Sequence, residues 1–230
     1  NLDYLLKHRY NWMNFYLKEN TQILEVGSGA GLSEFYLKFK PIMTDTTQNQ
    51  WVDKIIDATD MNIPDNSVDV LIASHNIHHF SSPYKFFNEC SRVLKPGGLI
   101  LIQEVNTSLI MRIILFLMKH EGWSYDVDVF NKNTVVNDPS DPWSANCATP
   151  ELLFEDNHKF QKTFKGLNIL KNEKNEGFIF PLSGGVIAKT KVPRIPTRIL
   201  DLVAFFDRIL IKLFPNIFAM GLSVVIKKTV

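Results

Sequence analysis

Cysteine is nearly absent: Cys90 and Cys147 are the only 2 in 230 residues. Two thiols cannot brace a chain of this length, which excludes a disulfide scaffold and suggests a reducing, cytoplasmic setting. An excess of charge of either sign is also missing. The 25 Lys and Arg against 24 Asp and Glu leave a formal net charge of +1, too little basic surface to expect a nucleic-acid partner. No uncharged apolar run reaches the roughly 18 residues that a membrane-spanning helix needs, and no basic-then-apolar leader is expected. There is no internal repeat. What remains is a globular composition, 45% hydrophobic and 21% charged with 17 Phe, suited to one domain over 1–230 with a full core.

The first 105 residues alternate strand and helix patterns. Residues 2–17 carry apolar positions at helical spacing, giving an N-terminal helix within 1–20. Residues 22–26, 42–44, 52–56, 68–73 and 99–105 read as strands, and 32–39 as a helix. Ser81, Ser82 and Pro83 open a further helix, with proline at its first position, which the Lys95-Pro96-Gly97-Gly98 turn closes. Continuous apolar strands joined by helices predict an α/β, doubly wound, Rossmann-like and mostly parallel sheet, with residues 21–105 as its cofactor-binding core. Residues 106–165 read as a helical and loop insertion after the fifth strand: a helix over 110–118, loop over 121–150, and a helix over 151–164. In 166–230 the pattern gives strands at 167–170, 178–180 and 221–227 and an amphipathic helix over 193–218.

Gly27-Ser28-Gly29-Ala30-Gly31 lies between the first strand and the next helix. Glycines there permit left-handed backbone and close approach of a ligand. The spacing is G-x-G-x-G, with Leu32 where the dinucleotide fingerprint would place its last glycine. Ligands of doubly wound sheets sit beyond the carboxyl ends of the strands, and three acids stand there in order: Glu25, Asp45 and Asp57. A carboxylate at Asp45 suits ribose hydroxyls, Asp57 with the Ala58 backbone suits an adenine amino group, and Met61 an adenine face.

The run Ile23-Leu24-Glu25-Val26-Gly27-Ser28-Gly29-Ala30-Gly31, the run from Asp57-Ala58-Thr59-Asp60-Met61 to Val68-Asp69-Val70, Ile77-His78-His79-Phe80, and Arg92-Val93-Leu94-Lys95-Pro96-Gly97-Gly98 together resemble the class I, type 11-like methyltransferase domain. The resemblance implies S-adenosylmethionine as cofactor and a seven-stranded sheet ending in an antiparallel hairpin. It implies that Gly27, Ser28, Gly29 and Gly31 line the methionine part. Asp45 takes the ribose, with Thr44 and Thr46 as substitutes, and Asp57 and Ala58 take the adenine. Ser74 and His75 stand where the family lines the methyl-transfer region. Asp141-Pro142-Trp143-Ser144-Ala145-Asn146, Thr149-Pro150-Glu151-Leu152-Leu153-Phe154 and Pro181-Leu182-Ser183-Gly184-Gly185 are similar to a poorly characterised methyltransferase subgroup, without implying its acceptor.

A hydroxyl acceptor needs a base near its proton, and histidine suits this role at neutral pH. His75, His78, His120 and Glu104 are the candidate catalytic residues. No Asn/Asp-Pro-Pro-aromatic motif follows the fourth strand, where the chain reads Ser74-His75-Asn76-Ile77, which argues against methylation of nucleobase amines. The expected acceptor is oxygen on a small molecule, a glycan or a lipid-linked sugar. No metal is expected, because His75, His78, His79 and Cys90 do not have zinc-ligand spacing. The 194–218 segment reads either as a buried sheet-covering helix or as a peripheral membrane contact. The alternatives to a methyltransferase are an NAD-dependent oxidoreductase, disfavoured by Gly31 and Asp57, and a non-catalytic cofactor-binding protein.

Overall fold

Strands buried on both faces read as nearly continuous apolar runs, and the central strands of this chain largely do. In the computed structural model, which describes residues 1–119, 121–141, 143–185 and 190–229, α1 (Leu2–Asn11) leads into β1 (Ile23–Val26), buried throughout, and then β2 (Ile42–Asp45), the two-residue β3 (Lys54–Ile55) and β4 (Val68–Ser74). Next come α2 (Pro83–Val93), β5 (Leu94–Val105), α3 (Leu109–Met118), α4 (Thr149–Phe154), α5 (Asn157–Thr163), β6 (Leu167–Asn175), α6 (Ile179–Leu182), α7 (Thr197–Leu213), α8 (Pro215–Phe218) and β7 (Gly221–Lys228). The strands form one seven-stranded sheet in the order β3-β2-β1-β4-β5-β7-β6. Pairing is parallel from β3 to β5, and β7 runs antiparallel to both β5 and β6. This is the Rossmann-like sheet with a terminal antiparallel hairpin.

The period of two along β4 sorts its side chains between two cores. Leu71 and Ala73 join Phe86, Phe87 and Cys90 of α2 on one face. Val70 and Ile72 join Leu6, Tyr10 and Met13 of the N-terminal segment on the other. α2 starts as its sequence predicts: the Ser82 side chain accepts from the Lys85 N–H, with Pro83 following, so one orphan donor is satisfied and the missing proline N–H costs nothing.

Several local expectations are corrected. Residues 32–39 form only a 3-10 turn over Leu32–Phe35. The 151–164 helix is two helices, α4 and α5, the second capped by Asp156 accepting from the Lys159 N–H at 2.9 Å. Residues 178–180 are not a strand, since α6 occupies 179–182. The Lys95 to Gly98 turn lies within β5, where the β4 pairing shifts register. The long C-terminal helix covers the sheet only at its edge, where α7 touches β6. Within α7 only Leu200, Ala204 and Asp207 are buried, and the apolar contacts go to Leu5 and Ile179.

Candidate functional site

The glycine loop is a set of left-handed residues locked to the neighbouring strand. Gly27, Gly29 and Gly31 have φ of 59°, 53° and 65°, a region that costs other residues strain. The Ser28 N–H donates to the Thr44 carbonyl at 2.9 Å, and the Thr44 N–H donates to Ser28 Oγ at 3.1 Å. The Gly29 N–H donates to the Asp45 carboxylate at 2.9 Å, and the Asn49 amide donates to the Gly29 carbonyl at 2.9 Å. Glu25 lies beneath the loop. Its carboxylate accepts from Ser33 Oγ, and burial pushes its pKa up to about 7 despite the opposing Ser33 and Ser28 hydroxyls.

That raised pKa gives a testable pH dependence. The folded state holds the Glu25 proton more tightly than the unfolded chain does, so stability falls as pH rises from 4.5 to 7, by up to about 3 kcal/mol, and is flat above that window. Glu25→Gln keeps an acceptor for Ser33 and cannot ionise. Its urea-unfolding free energy relative to the parent should therefore improve between pH 5 and pH 8. An unchanged difference across that range would show that Glu25 titrates normally.

Beyond the ends of β1 and β4 lies a cavity of about 280 Å³. Gly27 to Ala30 form one side of it, and Ser74, His75, His78 and His79 another. Met111, Ile114, Leu115 and Met118 of α3 close an apolar side, and Leu6, Arg9, Tyr10, Glu121, Phe180 and Met220 are among the other residues that line it. His75 ends β4 with a left-handed φ of 52°, its N–H donating to the Gln103 carbonyl at 2.8 Å. Burial, and then the Arg9 charge, holds its imidazole well below the usual histidine range, so it is neutral at physiological pH. Its Nε2 is buried with no partner among the described residues.

Glu104 does not reach the cavity. It is fully buried and accepts from the Asn76 N–H at 2.7 Å, the Ile77 N–H at 2.6 Å and the Val105 N–H at 3.0 Å. Its remaining partner is His78 Nδ1 at 2.6 Å. Burial alone would raise its pKa, but the His78 charge and hydrogen bond hold it at about 2. Burial would likewise depress His78, and Glu104 outweighs that and raises it. Glu104 is thus a positioning group, which aims His78 Nε2 toward the cavity. His79, lowered by burial and by the neighbouring His78, lies beside it with ring centroids 4.3 Å apart.

Other sequence candidates are placed elsewhere. Asp45 faces the loop, with Thr46 Oγ1 at 3.4 Å from its carboxylate. Asp57 accepts from the Thr59 N–H at 2.7 Å and the Thr59 hydroxyl at 2.8 Å. Ala58 and Met61 are buried in the core, and none of Asp45, Thr46, Asp57, Ala58 and Met61 lines the cavity. Gly31 packs against Trp51, whose Cβ would stand 2.8 Å from an added Cβ. His120 lies outside the described residues. Cys90 is in the core with Phe86 and Phe87, apart from the histidines.

The structure adds residues that local pattern did not single out. Arg9 is buried and bonds both oxygens of Glu176, at 2.8 and 2.7 Å. Glu121 stands 3.8 Å from His78 Nε2 and 3.7 Å from His79 Nε2. No spacing signal reveals either, since each partner arrives from a distant segment.

Comparison with known proteins bears on the fold. Residues 24–102 match the family described as "Methyltransferase domain". Fusarin C synthetase of Gibberella moniliformis is 31% identical over 144 residues, 51% of this chain but 3% of that much longer protein. A SAM-dependent methyltransferase from Archaeoglobus fulgidus superposes with a TM-score of 0.59 at 18% identity, covering 98% of this chain and 94% of that one. A possible histamine N-methyltransferase from Thermotoga maritima gives 0.54 at 16% identity, over 98% and 92% of the two chains. At such identities the superpositions speak for the fold alone. With the matched domain, they define a class I methyltransferase fold. The chain thus carries, over residues 24–102, a segment that matches the methyltransferase domain family, on a fold shared with S-adenosylmethionine-dependent methyltransferases, and S-adenosylmethionine is the cofactor this likeness implies.

The residues present fit that group. Gly29 lines the cavity, and an added Cβ there would meet nothing within 4 Å, so the loop backbone is open at that position. Across the cavity, the unpartnered His75 Nε2 is a polar atom suited to a ligand. When bound, S-adenosylmethionine would supply a methyl carbon on a positively charged sulfur, the chemistry of methyl transfer. The protein's own contribution is alignment, exclusion of water and charge placement. Gly27 to Ala30 would hold the donor side, α3 would exclude solvent, and the His78 and Glu121 wall would face an acceptor.

Proposed function

We propose that the chain methylates a hydroxyl oxygen of an amphipathic acceptor, with a lipid-linked sugar as the acceptor class. One observation carries this reading: the apolar wall of the cavity, α3, is also an exposed apolar surface. Met111 and Leu115 of α3 face the cavity, while Leu109, Ile113, Phe116 and Leu117 are exposed on its outside. α8 packs against α3, and the adjoining α7 exposes Ile199, Leu202, Phe205, Phe206, Ile209 and Leu213. A band of this kind supports contact with lipid, and Arg198, Arg208 and Lys212 on α7 add basic charge. No helix among the described residues is long and apolar enough to cross a membrane, so the contact is peripheral. The His and Glu wall suits a polar, hydroxyl-bearing head group entering from that side.

Two measurements test the proposal. In a thermal-shift panel, S-adenosylmethionine and S-adenosylhomocysteine should raise the melting temperature and NAD should not. At 100 times the Kd the ligand contributes about 2.7 kcal/mol, or roughly 5–10 °C for a domain of this size. In flotation assays the protein should rise with liposomes containing anionic lipid, and Phe205→Ser with Phe206→Ser should stay below. Release of S-adenosylhomocysteine only with free, water-soluble amines as acceptors would overturn the hydroxyl and lipid reading.

A further inference from the structure

We propose that His78, Glu121 and Cys147 form a site for one zinc-like divalent cation in the wall of the methyl-transfer cavity. Their donor atoms all lie within 4.8 Å of one another. His78 Nε2 is 3.8 Å from Glu121 Oε2, and Cys147 Sγ is 3.3 Å from the same oxygen. Tetrahedral zinc with nitrogen, oxygen and sulfur ligands sets its donors about 3.3–3.6 Å apart, given bond lengths of about 2.0–2.3 Å. Small side-chain rotations would close the set around a cation.

The ligands come from three segments that bind one another through the backbone. The Asn146 N–H donates to the His78 carbonyl at 2.9 Å, and the Cys147 N–H donates to the Gly122 carbonyl at 2.9 Å. The Asn137 amide donates to the same His78 carbonyl at 2.8 Å. His78 also has the support that metal-binding histidines commonly have. Glu104 takes the Nδ1 side at 2.6 Å, which turns Nε2 toward the Glu121 carboxylate. A divalent cation that took the place of the Nε2 proton would be held by both groups. The mixed nitrogen, oxygen and sulfur set favours zinc over magnesium or calcium, which take oxygen ligands. His79 Nε2, 3.7 Å from Glu121 Oε1, is placed to approach the same cation. His78 and Glu121 line the cavity and Cys147 does not, so an open coordination position would face the acceptor. The use of that position to hold the acceptor oxygen rests on the hydroxyl reading above; the site itself does not.

The test uses the full chain, freed of metal with a chelator and titrated with Co2+, and with Zn2+ by competition against a chromophoric chelator. One equivalent should bind, and cobalt should give a thiolate charge-transfer band in the near ultraviolet. Cys147→Ser should remove the band and weaken zinc more than about 100-fold, and Glu104→Gln about 10–100-fold, the range for a supporting partner. Cys90→Ala should retain the band. Glu121→Gln, which keeps shape and the Cys147 contact, should also weaken zinc and serves if Cys147→Ser does not fold. Absence of stoichiometric binding, or binding untouched by Cys147→Ser and Glu121→Gln, would overturn the site. Cofactor-induced thermal shifts on the metal-free chain separate the readings: a retained shift without metal binding sinks the site and leaves the methyltransferase reading intact.

Discussion

Gly27→Ala is expected to remove S-adenosylmethionine binding and much of the fold's stability, while Gly29→Ala weakens binding at little cost in stability. Gly27 has φ of 59°, and an added Cβ would stand 2.7 Å from Asn76 Nδ2 and 3.0 Å from Asn76 Cβ. Asn76 cannot retreat cheaply, because its amide donates to the Val26 carbonyl and its N–H to Glu104. Left-handed strain of about 1–2 kcal/mol therefore adds to overpacking of about 1–3 kcal/mol. At roughly 2–4 °C per kcal/mol for a chain of this size, the melting temperature should drop by about 10 °C. Gly29 has nearly the same φ, 53°, but its added Cβ meets no atom within 4 Å. That variant carries only the backbone strain and loses a few degrees. Its methyl group would stand on the loop's open face, where the cofactor has to approach. An overlap of about 1–3 kcal/mol lowers affinity by roughly 10–100-fold. Calorimetric titration and melting of both variants check this. Parent-like affinity in Gly29→Ala would remove the loop from the cofactor site.

The contrast between the two glycines reflects what sequence can carry. The loop, the strands before and after it, and the Ser82-Pro83 helix start were legible because each depends on neighbours in the chain. The misread segments depend on distant partners. Residues 32–39 have helical spacing, but the Asn14 side chain accepts from the Lys38 N–H at 2.7 Å and donates to the Tyr36 carbonyl at 2.9 Å. Those are backbone groups that a longer helix would have used, so the turn ends early. Phe178-Ile179-Phe180 has strand-like residues, yet the Asp207 carboxylate of α7 accepts from the N–H groups of Phe178 and Ile179 at 2.9 and 3.0 Å. A carboxylate at that position caps a helix start, and it comes from residues far along the chain. The site divides in the same way. His75, His78 and Glu104 follow directly from strand ends. Glu121 and Cys147 reach His78 only through pairing of the 122 and 146 segments, which no periodicity encodes.

Glu104→Ala should be among the most destabilising single changes in the chain, and its pattern of damage distinguishes a positioning role from a merely structural one. The carboxylate is the common acceptor for three backbone N–H groups and for His78, in a position with no exposure to solvent. Alanine leaves those donors buried and unpaired, which costs about 3–5 kcal/mol when a buried ionic partner is removed, or about 10 °C in melting temperature. Glu104→Gln separates the two roles. Its carbonyl oxygen can still accept from Asn76 and Ile77, while its amide group meets the Val105 N–H and His78 as a donor facing donors. Part of the stability should return, yet His78 loses its fixed orientation. A role in aiming His78 predicts that kcat for S-adenosylhomocysteine release falls in Glu104→Gln while cofactor affinity stays near that of the parent, because the glycine loop is untouched. If kcat recovers together with stability, Glu104 serves only the fold.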